Sequence, residues 1–226
     1  MTDRLILTLG ILGGTGNEGP GLAYRWARAG YPVIIGSRTP EKALAVAEEL
    51  NQRLGGTWVE GASNHEAAAR CDIAVLTVPY AAHRPMLEAL RETLRSKLLI
   101  DVTVPLVPPK VTRVQMPAAG SAAREAAEIL GPATRVVAAF QNVSHAHLLE
   151  DSPVPCDVLV CGDSAEAREQ VLRLVAAAGL VGWDAGPLDN AMVVEGLTSI
   201  LIGINKRYKM RSAGIRITGE QLDESA

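Results

Sequence analysis

The sequence predicts an α/β fold: a doubly wound parallel sheet carrying a smaller C-terminal α/β unit that ends in a long apolar helix. Two observations carry most of this. Short aliphatic runs alternate with helical patterns along the first two-thirds of the chain, and such alternation produces right-handed crossovers and a parallel sheet. Hydrophobic residues make up 48% of the chain while aromatic residues make up only 4%. A core built mainly of Val, Ile, Leu and Ala suits strands buried on both faces. The 226 residues fit one large domain with an appendage. We expect a nucleotide-binding domain over 1–150 and a smaller domain over 151–226 that completes a substrate cleft and a dimer interface.

Taken in order, strands are expected at Leu7–Leu12, Val33–Gly36, Thr57–Glu60, Ile73–Val78, Leu98–Val102 and Arg135–Ala139. Helices are expected between them, near Glu18–Ala29, Glu41–Leu54, Asn64–Ala69, Arg84–Leu94 and Ala118–Ile129. In the second helix, Ala43, Val46, Leu50 and Leu54 share a face, as a helix packed on a sheet requires. The stretch TVPLVPPKVTRVQMPAAG after the fifth strand holds four prolines, which forbid regular structure and favour a stiff, extended loop. The smaller unit has a strand at Asp157–Cys161, a helix from Ser164 to Ala178 stopped by Gly179, and a strand at Val181–Ala185. The last helix, from about Asp189 to Tyr208, carries the stripe Val194, Leu197, Leu201, Ile204 and Tyr208. Val193, Ile200 and Ile202 widen that stripe beyond one face, which suggests a subunit interface. Gly196 and Gly203 share a face that another backbone or a ligand could approach. Residues after Gly214 read as a loose tail.

Composition excludes several classes. A formal charge of −3 argues against nucleic acid or an acidic membrane surface as partner. No apolar run reaches the ~20 residues that span a bilayer. Cys71, Cys156 and Cys161 are too few and too scattered for a disulfide framework, and buried reduced cysteines suit a cytoplasmic protein. A metal site is not expected either, since His145 and His147 would splay apart on a helix.

The segment Gly14-Thr15-Gly16-Asn17-Glu18-Gly19 matches G-x-G-x-x-G directly after a strand and at the opening of a helix, the context of a Rossmann-type dinucleotide fingerprint. Gly14 is expected to form the tight turn, Gly16 to admit a pyrophosphate, and Gly19 to let helix and strand pack closely. An NAD binder carries an acid at the tip of the second strand. This chain has Gly36-Ser37-Arg38-Thr39-Pro40-Glu41-Lys42 there instead. Arg38 and Ser37 suit a 2′-phosphate, and Lys42 sits in the first helical turn, where a cation opposes the helix dipole unless an anion binds. NADP(H) is the nucleotide this predicts. Val78 and Pro79, ending the fourth strand, should line the same crevice, as should Val104 and Pro105 after the fifth and Gln141 to His145 after the sixth.

A proton donor is harder to find. Tyr80, His83, Lys110, His145 and His147 lie near strand ends, but none has neighbours in sequence that mark a catalytic group, and His65 and His83 read as surface residues at helix starts. No catalytic side chain is therefore assigned. The lack of an acid favours hydride transfer to another redox cofactor.

Three stretches, GGTGNEGPGLAYRWARAGYPVIIGSRTPEKA, CDIAVLTVPY and VCGDSAEAREQVLRLVAAAGLVGWDAGPLDNAMVVEGLT, resemble the F420-dependent NADP reductases. The resemblance reaches to about Tyr208. It implies direct hydride transfer between NADPH and coenzyme F420, an 8-hydroxy-5-deazaflavin, held face to face in a cleft between the two domains. It implies the pyrophosphate on Thr15, Gly16, Asn17 and Glu18, and the 2′-phosphate on Ser37, Arg38 and Lys42. Val78, Val104 and His145 would complete the nucleotide site. Archaeal members of the family show Ala-Leu-His-Thr-Ile-Pro where this chain has Ala139-Phe140-Gln141-Asn142-Val143-Ser144. The histidine that abuts the deazaflavin there is Gln141 here, which can still donate a hydrogen bond. Beyond the apolar last helix, the basic run Lys206-Arg207-Tyr208-Lys209-Met210-Arg211 could draw in the coenzyme's anionic phosphate and glutamate tail or simply complement the helix dipole. The alternatives are an NADP-dependent reductase of a flavin, ferric iron, or a small imine or ketone, and a non-catalytic NADPH-sensing module.

Overall fold

The computed structural model describes residues 7–219. Eight strands form one sheet: β1 (Leu9–Leu12), β2 (Val33–Ser37), β3 (Val59–Ser63), β4 (Ile73–Leu76), β5 (Leu98–Asp101), β6 (Arg135–Ala138), β7 (Asp157–Gly162) and β8 (Val181–Asp184). Their spatial order is β3-β2-β1-β4-β5-β6-β7-β8. The first six run parallel, with the order reversing between β1 and β4. β7 then pairs antiparallel with β6, and β8 parallel with β7. The predicted architecture is thus present, and the C-terminal strands extend the main sheet.

Helices α1 (Gly19–Arg28), α2 (Pro40–Leu54) and α7 (Ala165–Ala177) cover one face. The other is covered by α3 (Asn64–Arg70), α4 (Tyr80–Leu90), α5 (Ala122–Leu130) and α8 (Ala191–Tyr208). Strand alternation feeds the two layers. Ile73 and Val75 enter the first, while Ala74 and Leu76 enter the second, as a period of two requires. Trp26 is fully buried in the first layer, donates its indole N–H to Leu174 O at 2.8 Å and meets Phe140 edge-on at 5.7 Å. A short helix, α6 (His145–Leu148), follows β6.

Several boundaries differ from expectation for identifiable reasons. β3 lies later because Ser63 ends the strand and caps α3, accepting from Glu66 N–H in a capping box. α5 starts at Ala122 because the Ser121 hydroxyl caps it, after Gly120 at φ 94°. α4 begins directly after Pro79 and runs through Pro85. The segment after Gly214 is tied down where it is described: Ile215 O accepts from Asp157 N–H at 2.8 Å, and Ile217 N–H reaches Asp157 Oδ2 at 2.9 Å. Asp157, opening β7, offers both groups to a chain that sequence composition marks only as polar. The face of α8 bearing Gly196 and Gly203 is occupied by the proline-rich loop, whose Val114 and Thr112 stand 3.4 and 3.8 Å from where glycine Cβ atoms would lie.

Candidate functional site

The glycine loop joins β1 to α1 at the carboxyl edge of the sheet, beside the point where strand order reverses; ligands of such sheets bind there. Its tight turn falls on Gly13, at φ 72°, rather than on Gly14 as the motif suggests. A Cβ on Gly13 would stand 2.4 Å from Val78 Cγ1. Gly14 serves close packing instead: its Cβ would meet Ile11 O at 2.8 Å. One on Gly19 would lie 2.5 Å from the Gly14 backbone, which is the close approach the third glycine is expected to permit. Gly16 differs, because the nearest protein atom to its Cβ would be 3.6 Å away. Its exposed face is open to a ligand.

The loop is held from outside. Asn64 Oδ1 accepts the Gly13 N–H at 2.9 Å, while Ser37 Oγ lies 3.4 Å from Thr15 Oγ1 and accepts the Thr39 N–H at 3.2 Å. Together these elements enclose a cavity of about 200 Å³. Of the predicted residues, Thr15, Gly16, Ser37, Arg38, Lys42, Val78 and Pro79 line it. So do Gly13, Thr39, Asn64, Ala82 and Met86, none of which the sequence singled out for binding. Among the described residues neither Arg38 nor Lys42 takes part in an ion pair. Two cations free of acids beside an open glycine fit a phosphorylated adenosine.

Glu18 stands at the N-cap position of α1 without a side-chain capping bond, and one of its carboxyl oxygens is buried without a partner. Burial pushes its pKa up to about 8, so at neutral pH it is mostly the uncharged acid. Gly14 and Asn17 belong to the loop, Gly14 buried and Asn17 exposed, without lining the cavity.

Val104, Gln141 and His145 lie outside this cavity, following β5 and β6 along the same sheet edge. Gln141 is buried, donates from Nε2 to Asp101 O at 2.8 Å and leaves Oε1 unpaired. The neighbouring Asn142 donates from Nδ2 to Val194 O at 2.9 Å, and Thr198 Oγ1 donates to Gln141 O at 2.7 Å. α8 is thereby fastened to the end of β6. Phe140 adopts φ 73°, rare for a bulky side chain, and this turn sends its ring into the core while Gln141 and Asn142 face β5 and α8. His145 is exposed.

His83 overturns its reading as a surface residue without company. It is fully buried, with Nε2 2.8 Å from Asp101 Oδ2 and Nδ1 3.3 Å from Glu125 Oε1. Burial alone would depress its pKa, but the hydrogen bonds and charges of Asp101 and Glu125 prevail and raise it. Tyr80 donates to the same Glu125 at 3.3 Å, and Arg84 pairs with it at 3.2 Å. Nearby, the buried Glu195 carboxyl accepts the N–H groups of Ala122 and Ala123 at 2.6 and 3.0 Å, opening α5; burial lifts its pKa to about 8. Helix-start position hid all this, because the partners lie 18 and 42 residues away.

The chain matches the family described as NADP oxidoreductase, coenzyme F420-dependent, over residues 8–105. It is 43% identical to the F420-dependent NADP reductase of Methanothermobacter thermautotrophicus, covering 96% of this chain and 97% of that protein. It is 38% identical to the enzyme of that name from Methanocaldococcus jannaschii, over 96% of this chain and all of the other. A solved candidate F420-dependent NADP-reductase of Arthrobacter sp. FB24 has the same fold, with a TM-score of 0.79 at 24% identity over 94% of this chain and 100% of its own. The chain belongs to the family of F420-dependent NADP reductases.

Proposed function

We propose that this protein transfers a hydride directly between NADP(H) and the deazaflavin coenzyme F420. The observation that carries the nucleotide half is the cavity in which Ser37, Arg38 and Lys42 meet the open face of Gly16. The two full-length relatives named above support the deazaflavin half, and favour it over a flavin, iron or imine acceptor and over a sensing module.

Each residue has a task. Arg38 and Lys42 neutralise the 2′-phosphate, with Ser37 as a hydrogen-bonding partner. Thr15, Gly16 and Asn17 present the loop, and the N-terminus of α1 adds its dipole to the pyrophosphate. Glu18, being uncharged at neutral pH, does not repel it. Val78 and Pro79 supply an apolar wall, and Val104, Gln141 and His145 extend the cleft toward the reacting rings. NADPH supplies the hydride from its nicotinamide and the deazaflavin accepts it at carbon, so the protein's contribution is alignment.

On this reading residues 1–150 hold the nucleotide and 151–226 close the cleft. The working form is a cytoplasmic homodimer joined through α8, on which Met192, Val193 and Ile200 are 48, 65 and 49% exposed. Among the described residues no helix is long and apolar enough to cross a membrane. The test is to mix protein, NADPH and oxidised F420 and follow loss of the deazaflavin's visible band. Rapid bleaching with NADPH and little with NADH is expected; no bleaching with either would overturn the proposal.

A further inference from the structure

Asn64 lines the nucleotide cavity, yet the protein engages only half of its side-chain amide. It opens α3 directly after β3, and the parallel pairing of β2 with β3 sets Ser63 opposite Ser37. Asn64 therefore stands on the same sheet edge as the Ser37-Arg38 turn. It is 7% exposed and wedged at the junction of β2, β3 and the glycine loop. A Cβ on Gly36 would come within 2.8 Å of Asn64 Oδ1 and 3.1 Å of its Cα, so the glycine near the end of β2 is what admits it.

The two ends of the amide do different work. Oδ1 accepts the Gly13 N–H at 2.9 Å, and Gly13 carries the positive-φ turn of the loop. Gly36 O accepts the Gly14 N–H at 2.9 Å, so β2 and α3 together fix the loop from behind. The bond to Gly13 also settles which way the amide faces, since only its oxygen can accept. Among the described residues Nδ2 donates to no protein group, and it is not one of the buried polar atoms sealed off without a partner. Its N–H groups open on the cavity that Ser37, Arg38 and Lys42 also line, and among the described residues no Asp or Glu lines it.

We infer that Asn64 is a further determinant of nucleotide selectivity: Oδ1 holds the glycine loop in place for the pyrophosphate, and Nδ2 donates to the phosphorylated ribose. The inference rests on the nucleotide site proposed above. The isosteric acid would do the opposite. A carboxylate in place of the amide would still accept from Gly13, but it would set a negative charge beside an arriving phosphate, where like charges repel. Carboxylates at the carboxyl ends of such strands are what hold an unphosphorylated ribose. An amide supplies the same clamp with a donor on its open side, which a phosphate oxygen accepts as a charge-assisted bond.

The test is calorimetry near neutral pH with NADPH and NADH on wild type, Asn64→Asp, Asn64→Ala and Arg38→Ala. Asn64→Asp keeps the size and the acceptor, so its Kd for NADPH should rise about 10- to 100-fold while that for NADH stays within about threefold. Asn64→Ala, which also strips the Gly13 N–H of its partner, should weaken both nucleotides. Should either variant fail to fold, wild type labelled at asparagine nitrogen gives the answer by NMR: the Asn64 side-chain amide signals should shift far more with NADPH than with NADH. Unchanged NADPH affinity in Asn64→Asp, an equal loss of both nucleotides there, or amide signals indifferent to NADPH would overturn the role of Asn64 while a loss of NADPH in Arg38→Ala still upheld the site. If Arg38→Ala held NADPH as wild type does, the nucleotide site itself would fail and the inference with it.

Discussion

Replacing His83 by alanine strips a fully buried carboxylate, Asp101, of its imidazole partner. Asp101 keeps the Thr103 N–H at 2.9 Å, which satisfies only one of its two oxygens. Glu125 keeps Arg84 at 3.2 Å and Tyr80 at 3.3 Å, so the damage concentrates on Asp101. Removing one member of a buried ion pair costs about 3–5 kcal/mol, a large part of the ~5–15 kcal/mol that holds a native domain. With a urea m-value of about 3 kcal/mol/M, the unfolding midpoint should fall by roughly 1–1.7 M. His83→Leu combined with Asp101→Asn, which removes both charges, should recover more than half of that loss. The pH dependence has a definite sign. Because the native imidazole is held above its ordinary 6.5, its stabilisation is complete below that value. It fades as pH rises through the raised native one. The wild type's advantage over the alanine variant should therefore shrink toward alkaline pH. A loss under about 1 kcal/mol, or an advantage that grows with pH, would refute the buried charged pair. The pair also matters to the cleft, since Asp101 O holds Gln141 Nε2 at 2.8 Å.

Two glycines should behave oppositely. Gly16→Ala meets no protein atom nearer than 3.6 Å, so stability should hold while NADPH affinity falls; Gly19→Ala, 2.5 Å from the Gly14 backbone, should lower the melting temperature, as overpacking by about 1–3 kcal/mol does. Arg38→Ala and Lys42→Ala should each weaken NADPH binding about 10- to 100-fold, as loss of a charged hydrogen bond does, and leave NADH binding unchanged in calorimetry. Glu18 becomes negative as pH rises through about 8, so NADPH affinity should drop between about pH 7 and 9 in wild type and stay level in Glu18→Gln.

The layers of the fold were legible because each strand declares itself as a short aliphatic run and each helix as a stripe. The glycine fingerprint and the Ser37-Arg38-Lys42 group were legible because local spacing places them on one loop and one helix turn. What escaped depends on distant partners. Asn64 reads as an ordinary helix-start residue, and its grip on Gly13 across 51 positions has no local signal. His83 is hidden for the same reason. The double glycine at 13–14 was visible, yet the motif spacing points to Gly14 for the tight turn, and it is Gly13, at φ 72°, that takes it. β7 reverses direction after a long irregular stretch, and nothing in its own residues encodes that. Ile215 looked like tail because its anchor, Asp157, lies far upstream.

The most direct measurement of hydride transfer uses NADPH deuterated at the nicotinamide C4, on each face in turn, with oxidised F420 in ordinary water. Mass spectrometry of the reduced deazaflavin should find one deuteron retained at C5 from one of the two labelled forms and none from the other. Reduced product free of deuterium from both, with hydrogen drawn from solvent instead, would contradict direct transfer.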